Sequence, residues 1–394
     1  MDKAMVLLAG PRQAGKTTFA KDIVAPDFKD TIYFNWDISA DQKKLIDDPT
    51  FFAKAFRSTP DGKPLVIFDE IHKYRHWKNY LKGIYDQFHK EYQFLVTGSG
   101  RLEFSRKAGD SLAGRFLKFH LFPFTLAELS PSRKSLKNFL ENPLDGLDSS
   151  SENRTEETFK QLYELSGFPE PFMKGRKEFW LSWSAAYGQQ IIRDDLRTVA
   201  DIRNLDTIEI LHSLLPSRVG SPISINNLAG SLQVAFDTVK NWLLLFDSFY
   251  LTFRIPPWTA KISRSLLKEK KLYLFNFPVI EEEGARFENL AAVELLRAVE
   301  NWNDAGEGRF GLHYIRNKEK QETDFLITEK NKPILLIETK LAEDKPSKSL
   351  VQFQSVLNIP AVQLIKTQGV MKFIKNGRNP ILIVTAHRWL SSLP

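Results

Sequence analysis

The sequence contains no cysteine, which excludes disulfide bonds, zinc sites with thiolate ligands and cysteine nucleophiles. It also has no apolar run of about 18 residues, so a transmembrane helix is not expected. The first residues lack the charged and apolar regions of a signal peptide, because a glycine-rich motif follows almost at once. These absences predict a soluble cytoplasmic protein without a membrane partner.

The charge balance is mild, since 55 Lys and Arg residues stand against 48 Asp and Glu residues, for a net charge of +7. An excess of this size permits an anionic partner such as DNA but does not require one. The 394 residues are enough for two or three domains, each with its own core.

What the sequence does contain is a complete phosphate-binding loop near its start. An apolar run at residues 6–9 predicts a buried parallel strand, and the motif G-x-x-x-x-G-K-[ST] follows, with a predicted helix at 19–24. Glycines at the two fixed positions let successive backbone N–H groups turn toward a phosphate at the start of the helix. The predicted nucleotide-binding residues are Gly10, Pro11, Arg12, Gln13, Ala14, Gly15, Lys16, Thr17 and Thr18.

A second motif supplies the two carboxylates that a phosphate loop needs for hydrolysis. The apolar residues 65–68 run into Asp69 and Glu70, and the carboxyl end of such a strand lies beside the phosphate loop in a parallel sheet. We expect Lys16 to reach the β- and γ-phosphates, and Thr17 and Asp69 to hold Mg²⁺. Glu70 would polarise the attacking water. The pair of motifs predicts an ATPase that uses ATP and Mg²⁺, and the adjacent glutamate disfavours transfer to a small-molecule acceptor.

Thr97 ends another predicted strand, at residues 92–99. Its hydroxyl has two possible roles, contacting the γ-phosphate or the lytic water as a sensor, or capping the helix that follows. A strand at 31–37 and helices at 45–57 and 77–88 complete the elements predicted around these motifs.

The motifs GPRQAGKTT, FDEIHK and TGS, together with LAGRF and the LFPF that follows it, resemble a large prokaryotic group of AAA+-type ATPases. The likeness covers most of residues 1–130. In that group the ATPase is fused to an uncharacterised C-terminal domain with a restriction-endonuclease-like fold. The resemblance implies that Arg115 is an arginine finger or a γ-phosphate sensor, and the alternative is a structural ion pair. A finger acting in trans would need a homo-oligomer.

The middle of the chain is predicted to be helical after a polar linker at residues 142–157. Helically spaced side chains between 159 and 214 predict a packed core face. They are Trp180, Trp183, Tyr187, Ile191 and Ile192.

Residues 224–255 predict a winged-helix unit, with helices at 225–232 and 236–246 and a strand at 249–255 as the wing. A recognition helix would place Thr238, Lys240 and Asn241 in a DNA major groove. The composition of this helix, with one lysine beside an aspartate, slightly favours the alternative that the unit packs against its neighbours or another protein.

A basic stretch at 261–271 has five cationic side chains and one acid, and it is interpreted either as an edge that contacts phosphates or as a solvated face.

The C-terminal part changes to a predicted helix at 287–302 followed by three strands. Because strand side chains alternate, Glu338 and Lys340 share a face that Asp324 on the neighbouring strand can reach. Two carboxylates and an ammonium can form a Mg²⁺ site with a group that orients water. The set resembles a PD-(D/E)xK nuclease core, which implies Asp324 and Glu338 as metal ligands, Lys340 as the water-orienting group and Glu288 as the acid on the helix.

Together these patterns predict an α/β protein throughout. The predicted domains are an AAA+-type P-loop ATPase at 1–130, a linker and helical region at 131–215, a winged-helix-like module at 216–258 and a nuclease-like domain at 259–394. The predicted function is Mg²⁺-dependent ATP hydrolysis that regulates a DNA-acting C-terminal module. The alternative is an ATP-controlled switch that binds protein or DNA and whose nuclease-like domain is catalytically silent.

Overall fold

The computed structural model describes residues 4–55, 62–98, 100, 114–130, 134–145, 152–196, 204–259 and 269–394. Parts of the TGS and LAGRF motifs, of the predicted linker and of the basic stretch lie outside these ranges. The chain folds as two units: residues 1–122 with Ser248–Tyr250, and residues 123–247 with 251–394.

The first unit is built on a five-stranded parallel sheet in the order β2-β3-β4-β1-β5. The strands are β1 (Met5–Ala9), β2 (Thr31–Asn35), β3 (Leu65–Asp69), β4 (Gln93–Gly98) and β5 (Phe116–His120). This order confirms the parallel α/β fold predicted for the N-terminal part. It also places the loop after β1 between the ends of β4 and β5.

Both faces of this sheet are covered by apolar side chains, as expected for a parallel sheet. Met5 and Leu7 of β1 belong to one buried cluster, whereas Val6 and Leu8 belong to another. The alternation of the strand therefore divides one apolar run between two cores.

The helices of the first unit are α1 (Lys16–Thr18), which continues as the π-helical turn Phe19–Val24, then α2 (Ser39–Asp47) and α3 (Trp77–Phe88). The helix predicted at 45–57 is wrong. Helix α2 ends before Pro49, and a separate 3₁₀ turn covers Phe51–Lys54. The physical reason is that a residue preceding proline is disfavoured in helical conformation, and Asp48 is extended.

The segment Ser248–Tyr250 belongs to the first unit although it is far from it in sequence. Gly100, just beyond β4, lies against its backbone, because an added Cβ at Gly100 would be 1.9 Å from the Ser248 carbonyl oxygen. No side chain fits at that position without moving one of the two segments.

Helices dominate the start of the second unit. They are α4 (Leu126–Leu129), α5 (Leu136–Glu141), α6 (Glu152–Leu165), α7 (Pro169–Lys174), α8 (Lys177–Gln190), α9 (Leu205–Leu214), α10 (Ile225–Leu232) and α11 (Phe236–Ser248). The five residues predicted to form a packed face, on α8 and the turn after it, are all buried, which confirms that interpretation. On α11, Lys240 and Asn241 are exposed and Thr238 is half-buried.

The rest of the second unit combines a hairpin, a long helix and a six-stranded sheet. The elements are β6 (Thr252–Ile255), β7 (Lys271–Leu274), α12 (Glu283–Asp304), β8 (Phe310–Arg316), β9 (Glu322–Glu329), β10 (Lys332–Lys340), α13 (Lys348–Leu357), β11 (Ala361–Ile365), β12 (Met371–Asn376), β13 (Asn379–Thr385) and α14 (Ala386–Leu390). The sheet order is β12-β13-β11-β10-β9-β8, with β10, β11 and β13 parallel. Among the described residues, no helix combines the length and the apolar character needed to cross a membrane.

Candidate functional site

The phosphate loop has the backbone conformation that its glycines predict. Gly10 has φ +155° and Gly15 has φ +91°, both in the region that side chains disfavour, and Gln13 between them has φ +60°. An added Cβ at Gly10 would also lie 2.0 Å from the carbonyl oxygen of Leu121. Glycine is therefore required at residue 10 for both conformation and space.

Lys16 begins α1, and the residue is 6% exposed. Its ammonium donates to the carbonyl oxygens of Gly10 at 3.1 Å and Pro11 at 2.6 Å. The lysine thus folds back over the loop, and its charge is held where the sequence predicts the phosphates.

Asp69, at the end of β3, joins the loop to the neighbouring strands. Its Oδ2 atom accepts hydrogen bonds from the Thr17 hydroxyl at 2.6 Å and the Tyr33 hydroxyl at 2.7 Å. Its Oδ1 atom accepts a hydrogen bond from the Thr97 hydroxyl. Three neutral donors therefore surround one carboxylate that is 2% exposed.

Two of these contacts were not predicted from the sequence. Tyr33 is a new member of the site, and burial, followed by the hydrogen bond to Asp69, raises the pKa of its phenol. Thr97 was expected to act as a sensor or a cap, and in the structure its hydroxyl orients Asp69. The sequence did contain a signal for the contact between Tyr33 and Asp69, because Tyr33 lies two residues before the end of β2, the strand next to β3.

Glu70 follows Asp69 with φ +57°, an uncommon conformation for a residue with a side chain. Its carboxylate lies 3.2 Å from the ammonium of Lys73 and 3.5 Å from His72 Nε2. The same ammonium also contacts Asp37 at 2.7 Å. Burial raises the pKa of Glu70, against the opposing effect of the nearby Lys73 and Lys16 charges. The strained backbone thus holds a carboxylate whose protonated form is favoured relative to a free side chain.

The donor set fits Mg²⁺ and a nucleotide. A threonine hydroxyl and a buried carboxylate meet at 2.6 Å, and oxygen donors of this kind are the ligands that Mg²⁺ prefers. The loop N–H groups and the Lys16 ammonium supply positive charge for phosphates next to them.

Arg115 comes just before β5, and its guanidinium is paired with Asp86 of α3, with Nε to Oδ1 at 2.7 Å and Nη2 to Oδ2 at 3.2 Å. This is the geometry of the structural ion pair that the sequence left open. The finger role stays a prediction.

In the second unit, three residues of the predicted nuclease-like set lie at adjacent ends of β9 and β10. Asp324 Oδ2 accepts hydrogen bonds from the backbone N–H of Thr339 at 2.9 Å and from its hydroxyl at 2.8 Å. Glu338 Oε1 lies 2.9 Å from the Lys340 ammonium, and among the described residues Glu338 Oε2 has no hydrogen-bond partner.

The sequence missed the cation at the centre of this cluster. Lys271 of β7 is 1% exposed, and its ammonium lies 2.7 Å from Glu322, 3.1 Å from Glu288 and 3.7 Å from Asp324. Both interpretations of the basic stretch, a phosphate-contacting edge and a solvated face, are therefore wrong for Lys271, because its side chain is buried among carboxylates.

Crowded carboxylates have perturbed ionisation. Burial, followed by the neighbouring Asp324 charge, raises the pKa of Glu288 and that of Glu338 to about 7 each. Burial lowers the pKa of Lys271, but the three carboxylates outweigh burial and raise it overall. The ammonium of Lys271 therefore lies between Glu288, Glu322 and Asp324.

Comparison with known proteins adds family matches for three segments. Residues 2–130 match the AAA domain family AAA_14. Residues 156–277 match a domain of unknown function, DUF8612, and residues 283–381 match another, DUF4143. The match over the N-terminal part is to an AAA domain, and it supports ATP binding and hydrolysis there.

Relatives with similar sequence come from an archaeon and from mycobacteria. Uncharacterized protein MJ1544 of Methanocaldococcus jannaschii is 25% identical over 89% of this chain and 78% of its own length. MJ1637 of the same organism is 26% identical over 70% of this chain and 62% of its own length. Rv2008c of Mycobacterium tuberculosis is 24% identical over 68% of this chain and 54% of its own length.

One solved structure with partial likeness is the Aeropyrum pernix ORC1 protein in complex with DNA. It is 13% identical, with a TM-score of 0.31 over 73% of this chain and 86% of that one.

Proposed function

We propose that this protein is a Mg²⁺-dependent ATP hydrolase. The observation that carries the proposal is the hydrogen bond of 2.6 Å between Thr17 of the phosphate loop and Asp69 of β3, which brings the two predicted motifs together. The AAA family match of residues 2–130 supports the same function independently.

In this proposal the loop residues 10–18 bind the phosphates, and Lys16 neutralises their charge. Thr17 and Asp69 hold Mg²⁺, which when bound offsets the negative charge that develops on the phosphate oxygens. Glu70 orients the attacking water and accepts its proton. Its contact with Lys73 fixes the direction of its carboxylate.

Thr97 and Arg115 complete the proposed catalytic set. Thr97 acts as a positioning residue, because its hydroxyl donates to Asp69. Arg115 is the candidate finger, and its pairing with Asp86 is the competing structural role.

The first experiment measures ATP turnover and ATP binding with Mg²⁺ for the wild type, Glu70→Gln and Glu91→Gln. Glu91 is an exposed carboxylate in the same unit, so its variant controls for loss of charge. We expect Glu70→Gln to bind ATP normally and to lose about 10²–10⁴-fold in turnover, the usual contribution of a general base. Unchanged turnover would remove Glu70 from the mechanism, and no turnover by the wild type would contradict the proposal itself.

We also propose that the ATPase cycle regulates a DNA-acting module in the remainder of the chain. It would consist of the helical region 131–215, the winged-helix-like module 216–258 and the nuclease-like domain 259–394. Support comes from α10, α11 and the β6–β7 hairpin, which follow in winged-helix order, and from the carboxylates collected beside Lys340. The partner would be DNA, and an oligomer is expected only for a finger acting in trans.

Cleavage of supercoiled and linear DNA with Mg²⁺ or Mn²⁺, with and without ATP, tests this module. Loss of cleavage in Asp324→Asn would establish an active nuclease. The second candidate function is an ATP-controlled switch that binds DNA or protein without cleaving, and the buried Lys271 among the carboxylates favours it. ATP-dependent association with intact ATP turnover and no cleavage would establish the switch.

A further inference from the structure

We propose that Lys271 is the resident cation of the acidic cluster in the second unit and neutralises Glu288, Glu322 and Asp324, so that Asp324 does not share a divalent metal with Glu338. The inference rests on the second candidate function, the switch with a catalytically silent nuclease-like domain, since it concerns the same carboxylates. It concerns metal binding, so its test does not depend on ATP turnover or on DNA cleavage.

The ammonium of Lys271 is matched to its surroundings. A lysine offers three N–H donors, and three carboxylates surround it, two of them within 3.1 Å. The ring of Tyr314 lies 5.6 Å from the same nitrogen, where its face favours a cation. A buried lysine with this many acceptors needs no further partner to remain charged.

The backbone on both sides holds Lys271 in place. Within the hairpin, Lys271 pairs with Ile255 of β6, and on the other side it forms a bridge with Pro222. The backbone N–H of Ile223 donates to the Lys270 carbonyl at 3.0 Å, and that of Gly220 to the Leu272 carbonyl at 3.2 Å. The backbone of Lys271 is therefore fixed from both sides at the position from which its side chain reaches the cluster.

Asp324 and Glu288 leave little capacity for a second cation. Asp324 Oδ2 already accepts two hydrogen bonds, both from Thr339. The Glu288 oxygen that faces Lys271 also accepts a hydrogen bond from the Tyr273 hydroxyl, at 2.7 Å. A divalent ion entering here would lie within a few ångströms of a fixed positive charge, and like charges at that separation repel strongly in a buried site.

A measurement of metal binding distinguishes this proposal from the alternative that Asp324 binds a divalent metal. The measurement is Mn²⁺ binding to nucleotide-free protein, by titration with electron paramagnetic resonance detection. We expect the wild type and Asp324→Asn to bind the same amount of Mn²⁺. We expect Lys271→Met to gain a site with affinity at least about tenfold higher than any in the wild type, a coupling of ordinary size.

Two variants control the result. Lys271→Arg keeps the positive charge and should gain no site. Lys270→Met removes the same charge from the preceding residue, which interacts electrostatically with Asp247, and should behave as the wild type. Thermal unfolding with and without Mn²⁺ gives a second readout, because the ion should stabilise Lys271→Met more than the wild type and the other variants.

A wild-type Mn²⁺ site that disappears in Asp324→Asn or Glu338→Gln would overturn the proposal, since metal would then bind beside Lys271. A folded Lys271→Met protein that gains no Mn²⁺ site would overturn it as well. If Lys271→Met does not fold, the comparison of wild type with Asp324→Asn decides the question alone.

Discussion

Each unit contains a carboxylate centre, and the two centres are neutralised in different ways. Asp69 in the first unit accepts hydrogen bonds from three hydroxyls, which carry no charge. The cluster around Asp324 in the second unit receives the ammonium of Lys271. Neutral donors leave the negative charge of a carboxylate available to an incoming cation, whereas a lysine cancels it. Clustered acids alone therefore do not indicate a metal site, because the charge of their hydrogen-bond and ion-pair partners decides whether a cation can bind.

The largest effect on stability is expected when Lys271, the cation of the second centre, is removed. Lys271→Met leaves three carboxylates without their counter-charge, and we expect the free energy of unfolding of the second unit to fall by about 3–5 kcal/mol. Chemical denaturation, followed by tryptophan fluorescence, measures it, with Lys270→Met as the control. Equal losses in the two variants would show that Lys271 is not specifically paired.

The second prediction concerns how the stability of the second unit depends on pH through the ionisation of Glu338. Because the pKa of Glu338 is raised from its ordinary 4.5 to about 7, the folded state binds more protons than the unfolded state between these values. Its contribution to stability is therefore complete below about 4.5 and is lost as pH rises toward 7. Glu338→Gln should reduce the fall in stability over this window by at most about 1.4 kcal/mol per pH unit. An unchanged pH profile would contradict this assignment.

A smaller effect is expected at the hydroxyl-lined centre. Tyr33→Phe removes one neutral donor from Asp69 and leaves two. We therefore expect the free energy of unfolding to fall by about 1.5 kcal/mol, the lower end of the range for hydrogen bonds to charged groups. Tyr80→Phe is the matched control, because its hydroxyl donates to a neutral acceptor, the Pro49 carbonyl, at 2.9 Å. A greater loss in Tyr80→Phe than in Tyr33→Phe would show that Asp69 is not the important acceptor.

The smallest effect on stability is expected for the exposed pair of Arg115 and Asp86. Exposed ion pairs contribute little, so Arg115→Ala and Asp86→Asn should both leave the unfolding temperature nearly unchanged. ATP turnover then separates the two roles of Arg115. Loss of turnover in Arg115→Ala alone would assign the arginine finger, and equal turnover in both variants would assign the ion pair.

The motifs with fixed spacing were the most predictable part of the molecule. Strand β3 ends at Asp69 as its four apolar residues indicated, and the parallel sheet follows from apolar strands that alternate with helices. The nuclease-like candidates Asp324, Glu338 and Lys340 also fall on neighbouring strands, as their spacing indicated. In each of these cases the pattern is local, within one strand or one hairpin.

The partners of those residues were not predictable, for a physical reason. Tyr33 contacts an aspartate 36 residues away, and Lys271 contacts Glu288, 17 residues away, on a different element. A tyrosine in a strand resembles any core residue, and a lysine at the end of a basic stretch resembles a solvated one. Only the pairing of strands and the docking of α12 bring these groups together.

The assignment of Ser248–Tyr250 to the first unit has a consequence for gene architecture. The chain passes between the units after residues 122, 247 and 250, so no single cut separates them. A truncation after residue 122 would deprive the first unit of the backbone that Gly100 lies against. An exchange of residues 1–122 alone between two genes would therefore leave the first unit without its own residues 248–250, so we expect the two parts of the gene to be exchanged together.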